Sequence, residues 1–181
     1  MAADAGPAFD CAQKLTSSVE QRICRDADLA AMDRKMTDVY QSAWTKTTAA
    51  DTQTLVTAQR AWAKARNECW KSQDVQACVE SAYRNRITEL QARYRLVEPS
   101  GSARYLCPGP PPQEITAEFF DTDPGTAMVT YAGATQLMRL TPSGSGIRYT
   151  GGNRQLWEVN GVALFTWGRG ANEVNCPIQR K

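Results

Sequence analysis

Six cysteines in a chain of 181 residues that has no histidine constrain the fold more than any other feature. Cys11, Cys24, Cys69, Cys78, Cys107 and Cys176 are even in number, and none forms the Cys-x-x-Cys pairs that zinc and redox sites use. Without histidine a Cys2His2 site is excluded, and with no nucleotide or metal motif in the chain no metal or other cofactor is expected. The cysteines read instead as three disulfides formed in an oxidising compartment. Six cysteines allow many pairings. Local closure favours Cys11–Cys24 and Cys69–Cys78, because each short loop lies beside a predicted helix end, and this leaves Cys107–Cys176. In the chain-entropy picture a bridge closing roughly 70 residues contributes about 4 kcal/mol. Two small domains, each stapled within itself, fit this arrangement. The chain opens Met1-Ala2-Ala3-Asp4-Ala5-Gly6, without the basic and apolar segments of a signal peptide. With the cysteines, this start predicts a periplasmic or secreted protein whose signal peptide is absent from this sequence, and it leaves a lipid anchor open.

Charge narrows the partners. The net charge is +2, with 14 basic and 12 acidic groups in residues 1–96 and 7 of each in residues 97–181. Neither half has the basic excess of a nucleic-acid binder, and no nucleic-acid partner is expected. No apolar run approaches the roughly 18 residues of a membrane span, so no transmembrane segment is expected. Oligomeric state is not readable.

Taken in order, a disordered-looking start leads to Ser17 and Glu20, which have the spacing of a capping box and predict a short helix to Cys24. Asp26 or Asp28 can cap a second helix, in which Leu29, Met32, Met36, Val39, Tyr40 and Ala43 recur at three- and four-residue steps to about Thr47. Asp51 can cap a third, with Leu55, Ala58, Trp62, Ala65 and Cys69 on one stripe. Val79, Tyr83, Ile87, Leu90 and Tyr94 mark a fourth. Residues 8–96 are therefore expected to form an antiparallel helical bundle. Asp33 and Arg66 are read as a partly buried ion pair tying two helices together, and Arg84, Arg86, Arg93 and Arg95 as a solvated face.

The set Phe9-Asp10-Cys11, Val19-Glu20, Ile23-Cys24, Leu29, Asp33, Tyr40, Gln59-Arg60-Ala61-Trp62, Arg66, Cys69, Cys78, Tyr83, Arg86, Ile87 and Leu90 resembles the N-terminal domain of LprI-type lysozyme inhibitors. The resemblance implies an envelope or secreted helical module.

Val97–Ser102 reads as a linker, after which periodicity changes from helical to alternating. Eight short strands are expected at 104–107, 114–120, 127–131, 136–141, 148–150, 154–158, 162–167 and 173–176, with turn chemistry between them. The predicted class is α+β, two-domain: a disulfide-stapled helical bundle, then a small eight-stranded antiparallel β-barrel at 103–179 whose closure hides its edges. Within it, Ser143–Gly161 contains five glycines and no lysine. Such a stretch reads as loop, strand pair and loop displayed at one end of the domain, where binding groups are commonly placed. Trp157, Trp167, Phe119 and Tyr131 are assigned to the core, because a domain this small needs large side chains inside.

The second half resembles the membrane-bound lysozyme inhibitors of C-type lysozyme, the MliC family, from Tyr105 to about Gln179. Tyr105-Leu106-Cys107 opens the match and Ser145-Gly146-Ile147-Arg148-Tyr149 is its Ser-Gly-x-x-Tyr element. Trp157 to Gly161 is the second element and Asn175-Cys176 closes it. The resemblance implies that a serine from the first element and a lysine from the second enter the cleft of a C-type lysozyme. This chain has Val159-Asn160-Gly161 where the family has Thr-Lys-Gly. Asn160 donates hydrogen bonds but brings no charge, and charge-assisted bonds are about twice as strong as neutral ones. Arg148 and Arg154 are candidate replacement cations.

The expected lysozyme-binding residues are Ser145 first, then Gly146, Tyr149, Asn160, Gly161 and Arg148, with a C-type lysozyme as partner. No catalytic residue is expected. With histidine absent and the cysteines bridged, the usual acid, base and nucleophile sets are missing. The alternative is a non-inhibitory envelope module that binds peptidoglycan or a partner protein.

Overall fold

The computed structural model describes residues 6–179, which places Met1–Ala5 of the expected disordered start outside the described residues. The chain divides into two units between Leu96 and Val97.

In the first unit the helices begin where polar side chains can satisfy free N–H groups. Helix α1 (Ser18–Arg25) opens on the complete Ser17–Glu20 capping box. Asp26, not Asp28, caps α2 (Ala27–Lys46), accepting from the Asp28 and Leu29 amides. Helix α3 (Ala49–Asn67) starts earlier than expected. Thr48 is its N-cap, and Asp51 lies inside the first turn, where its carboxylate accepts from the Thr48 hydroxyl at 2.7 Å. A 3-10 turn (Glu68–Lys71) precedes α4 (Val75–Arg93), which Asp74 caps. The apolar stripes meet in one core of Val19, Ile23, Leu29, Met36, Ala43, Leu55, Cys69, Val79, Tyr83, Ile87 and Leu90.

Through that core runs a polar chain. Arg66 and Asp33 are each 6% exposed, 3.5 Å apart, and joined by Tyr83, whose hydroxyl accepts from Arg66 Nη1 at 2.8 Å and donates to Asp33 Oδ1 at 2.7 Å. Asp33 Oδ2 accepts from the Ala8 amide, which fastens the segment before Cys11. The guanidinium also lies over the Trp62 and Tyr83 rings. Burial holds the Tyr83 phenol well above the usual tyrosine range, Arg66 opposing the shift and Asp33 adding to it. The arginine face corrects one expectation. Arg86 is only 4% exposed, since its Nε donates to Gln59 Oε1 at 3.0 Å and its Nη1 pairs with Glu89 at 3.1 Å. These partners offset much of the cost of burying the charge, although Nη2 is buried without a hydrogen-bond partner among the described residues.

The second unit is a meander of eight antiparallel strands: β1 (Gly101–Cys107), β2 (Gln113–Phe120), β3 (Thr126–Tyr131), β4 (Ala134–Thr141), β5 (Ile147–Gly151), β6 (Arg154–Val159), β7 (Val162–Trp167) and β8 (Val174–Pro177). The last strand returns to the first through a bridge between Tyr105 and Ile178 and a hydrogen bond from the Gln179 amide to the Arg104 carbonyl at 2.7 Å. The result is a nearly closed barrel. Its interior is filled by alternate residues, among them Tyr105, Ile115, Val129, Met138, Leu156 and Phe165. The expected linker runs two residues too far: Gly101 and Ser102 are paired with Phe119 and Glu118, because the long β2 offers them partners despite their loop-like composition.

The three disulfides are Cys11–Cys24, Cys69–Cys78 and Cys107–Cys176, the last joining β1 to β8. Among the described residues no helix is long and apolar enough to cross a membrane.

Candidate loop site at the barrel end

Strand β4 ends at Thr141, and Pro142 to Gly146 form an exposed loop before β5. Strands β5 and β6 pair with Ile147 opposite Glu158, and β6 and β7 pair with Val159 opposite Val162. This register carries the serine loop and the Asn160-Gly161 turn to the same end of the barrel. Their closest approach is at Gly146. A Cβ built there would lie 2.0 Å from the Glu158 carbonyl oxygen and 2.9 Å from Val159 Cγ2, and the residue has φ of +64°. Only glycine fits both conditions. Ser143 Oγ donates to the Gly146 carbonyl at 3.1 Å, closing the loop on itself.

Ser145 is exposed, and its side chain has no hydrogen-bond partner among the described residues. Its carbonyl does have one: the Trp157 indole N–H donates to it at 2.8 Å. Trp157 is thus half-buried on the outer face of the barrel, which corrects its assignment to the core. Its neighbour Leu156 takes the inward position, and alternation turns the tryptophan out. Trp167, Phe119 and Tyr131 do pack against the interior cluster.

Asn160 and Gly161 form the two-residue turn between β6 and β7, with φ of 51° and 81°. Positive φ at both positions is the type I′ signature, for which Asn-Gly is the preferred pair. Asn160 is exposed.

The arginines separate. Arg148 lies on the outer face, opposite Trp157. Its Nε donates to Gln155 Oε1 at 2.8 Å, and its guanidinium lies over the Trp157 ring, 5.7 Å from the centroid. Arg154 pairs with Gly151 beside the β5–β6 turn, at the far end of the hairpin from Ser145. There it donates to Gln136 and stacks on Trp167. Arg154 is therefore removed from the loop pair, and Arg148 remains next to it.

Tyr149 points inward, packs on Phe119 at 5.3 Å, and lines a cavity of about 90 Å³ with Tyr105, Phe119, Ile147, Leu156 and Glu158. Burial raises the Tyr149 phenol above its ordinary range, with a smaller contribution from the Asp121 charge. Glu158 is held on the same inward side by the Tyr105 hydroxyl, which donates to it at 2.6 Å. Sequence reasoning missed this pair because its members lie 53 positions apart. It also missed an apolar shoulder: Leu140 and Ile147, on the two strands that flank the loop, are 45% and 55% exposed. They border an open groove with Pro124, Pro142 and Arg148.

An exposed hydroxyl and an exposed amide on two adjoining, glycine-fixed turns form a small donor-rich projection with an apolar base. Such a projection can offer hydrogen-bond donors and a small apolar surface to a partner.

Comparison with known proteins adds the context. Residues 11–90 match the family described as "Lysozyme inhibitor LprI", and residues 105–174 match "Membrane-bound lysozyme-inhibitor of c-type lysozyme". The chain is 31% identical over 161 residues to the protein named "Lipoprotein LprI" in Mycobacterium bovis and in Mycobacterium tuberculosis, covering 87% of this chain and 78% of each relative. No solved structure matches.

Proposed function

The chain belongs to the LprI family of lysozyme inhibitors, and from that membership we propose that it is a non-catalytic inhibitor of C-type lysozyme that plugs the active-site cleft with the loops at one end of its barrel. The observation that carries this reading is the exposed Ser145 on a loop fixed by Gly146 and set beside the Asn160-Gly161 turn. A C-type lysozyme works with two carboxylates, one protonated and one ionised. The Ser145 hydroxyl donates to one of them, and the Asn160 amide supplies further donors without charge. Leu140 and Ile147 cover apolar surface at the rim. Inhibition then needs no reaction, only exclusion of the glycan by a shape that satisfies the carboxylates. The disulfides and the lipoprotein relatives support an envelope or secreted location.

The neutral turn favours a second reading, in which the same barrel end binds an envelope partner without inhibiting lysozyme. Calorimetric titration of the full chain into a C-type lysozyme separates the two. Saturable binding is expected, and it is expected to weaken in proportion as an oligomer of N-acetylglucosamine fills the cleft. Binding indifferent to the oligomer would place the contact outside the cleft, and absence of binding at micromolar concentrations would favour the second reading.

A further inference from the structure

On the outer face of the barrel, four side chains form a continuous strut from the β7–β8 connection to the serine loop. Glu173 Oε2 accepts from Gln155 Nε2 at 3.2 Å, and Gln155 Oε1 accepts from Arg148 Nε at 2.8 Å. The Arg148 guanidinium lies against the Trp157 ring, and the indole N–H donates to the Ser145 carbonyl at 2.8 Å. The register explains why these residues meet: Arg148 is directly opposite Trp157 on the β5–β6 hairpin, and Gln155 is two positions along on the same face. Arg148 is thereby held as part of the scaffold, and the one direct hydrogen bond from the strut to the loop ends on the backbone of Ser145.

We propose that Trp157 is a positioning residue for inhibition: its indole fixes the Ser145 peptide so that the hydroxyl is presented outward before lysozyme arrives, with Arg148 and Gln155 holding the indole plane. The inference rests on the cleft-plugging reading. A loop that is already ordered loses less conformational entropy on binding, which is the usual source of affinity in preorganised inhibitors. The other fastenings of the loop, Ser143 Oγ to the Gly146 carbonyl and the close approach of Gly146 to Glu158, set the position of Gly146. They anchor one end of the Ser145–Gly146 peptide, and the indole N–H donates to the Ser145 carbonyl itself.

The test is a double-mutant cycle read by lysozyme inhibition with the full chain. Trp157→Phe keeps an aromatic ring for Arg148 and removes the N–H. One lost hydrogen bond corresponds to a loss of roughly three- to tenfold in inhibition constant, with a melting temperature close to that of the parent. In a Ser145→Ala background the same change is expected to have little further effect, since a correctly turned alanine offers no donor. Equal losses in both backgrounds would mean that Trp157 touches lysozyme itself or supports the fold generally, and would overturn the proposal, as would an unchanged constant in the parent background. Faster amide exchange at Ile147 in free Trp157→Phe is the second expected readout, and unaltered exchange contradicts the proposal even where inhibition falls. If the parent chain fails to inhibit at all, the cleft-plugging reading fails first, and the exchange measurement still decides whether Trp157 orders the loop.

Discussion

Gly146→Ala is expected to reduce inhibition of a C-type lysozyme by at least about tenfold while leaving the barrel folded. Two effects add. The residue sits at φ of +64°, where a side chain costs about 1 kcal/mol or more. The new Cβ would also fall 2.0 Å from the Glu158 carbonyl oxygen. That oxygen cannot give way easily, because Glu158 belongs to β6 and is paired with Ile147 on one side and Ala163 on the other. The serine loop has no second strand to hold it and is the part that must move. A displacement of Ser145 away from the Asn160-Gly161 turn breaks the shared projection, and every 1.4 kcal/mol of lost complementarity is about tenfold in affinity. Parallel titrations of parent and variant, with circular dichroism as the control for folding, check this. Parent-like inhibition by Gly146→Ala would mean that the loop contributes little.

Arg66→Ala is expected to destabilise the helical unit by about 3–5 kcal/mol, because it leaves the Asp33 carboxylate buried without a cation. The Tyr83 hydroxyl and the Ala8 amide still donate to Asp33, but two neutral donors replace only part of the lost attraction. For a unit of this size, 1 kcal/mol moves the melting point by roughly 4–8 °C, so helical ellipticity should be lost at least about 12 °C lower. The double change Asp33→Asn with Arg66→Met is expected to recover part of the loss, since no lone charge is then left inside. A shift of only a degree or two for Arg66→Ala would show that the pair is effectively solvated.

Much of the fold is legible in the sequence because its signals are local. Ser17 and Glu20 announce α1, the stripe from Leu29 to Ala43 announces α2, and the change from helical to alternating periodicity after the Val97–Ser102 stretch marks where the strands take over. The disulfides follow from short-range closure and elimination. What local pattern does not carry is long-range satisfaction. Arg86 looks like one more surface arginine on α4 until Gln59, on a different helix, is placed beside its Nε. Glu158 falls on the inward side of β6 next to Leu156, and only Tyr105 on β1 makes that tolerable. Thr48 takes the cap of α3 from Asp51, because both residues can serve and the chain uses them together.

In the candidate site the sequence motif names positions, and the structure supplies the local geometry of each. Ser145, Gly146 and Tyr149 emerge from the Ser-Gly-x-x-Tyr element, and the structure adds why Gly146 must be glycine. Asn160-Gly161 reads as a departure from the family's lysine, yet the pair also suits a type I′ turn, with φ of 51° and 81°. Trp157 was open to the right assignment. Strand alternation with Leu156 inside turns it outward, whereas the demand for bulky core residues in a small domain points the other way. Alternation is the stronger constraint, since a one-residue slip would turn every side chain of β6 over.

If Ser145 on its fixed loop blocks a lysozyme cleft, a lysis assay reads that block without an intermediary. The full chain and its Ser145→Ala variant are titrated side by side into a C-type lysozyme acting on bacterial cell walls. The parent is expected to suppress lysis at stoichiometric to micromolar amounts, and Ser145→Ala to require roughly tenfold more, the value of one hydrogen bond to a charged group. Undiminished lysis at micromolar excess of the parent would contradict inhibition itself, and superimposable curves for parent and Ser145→Ala would contradict the site.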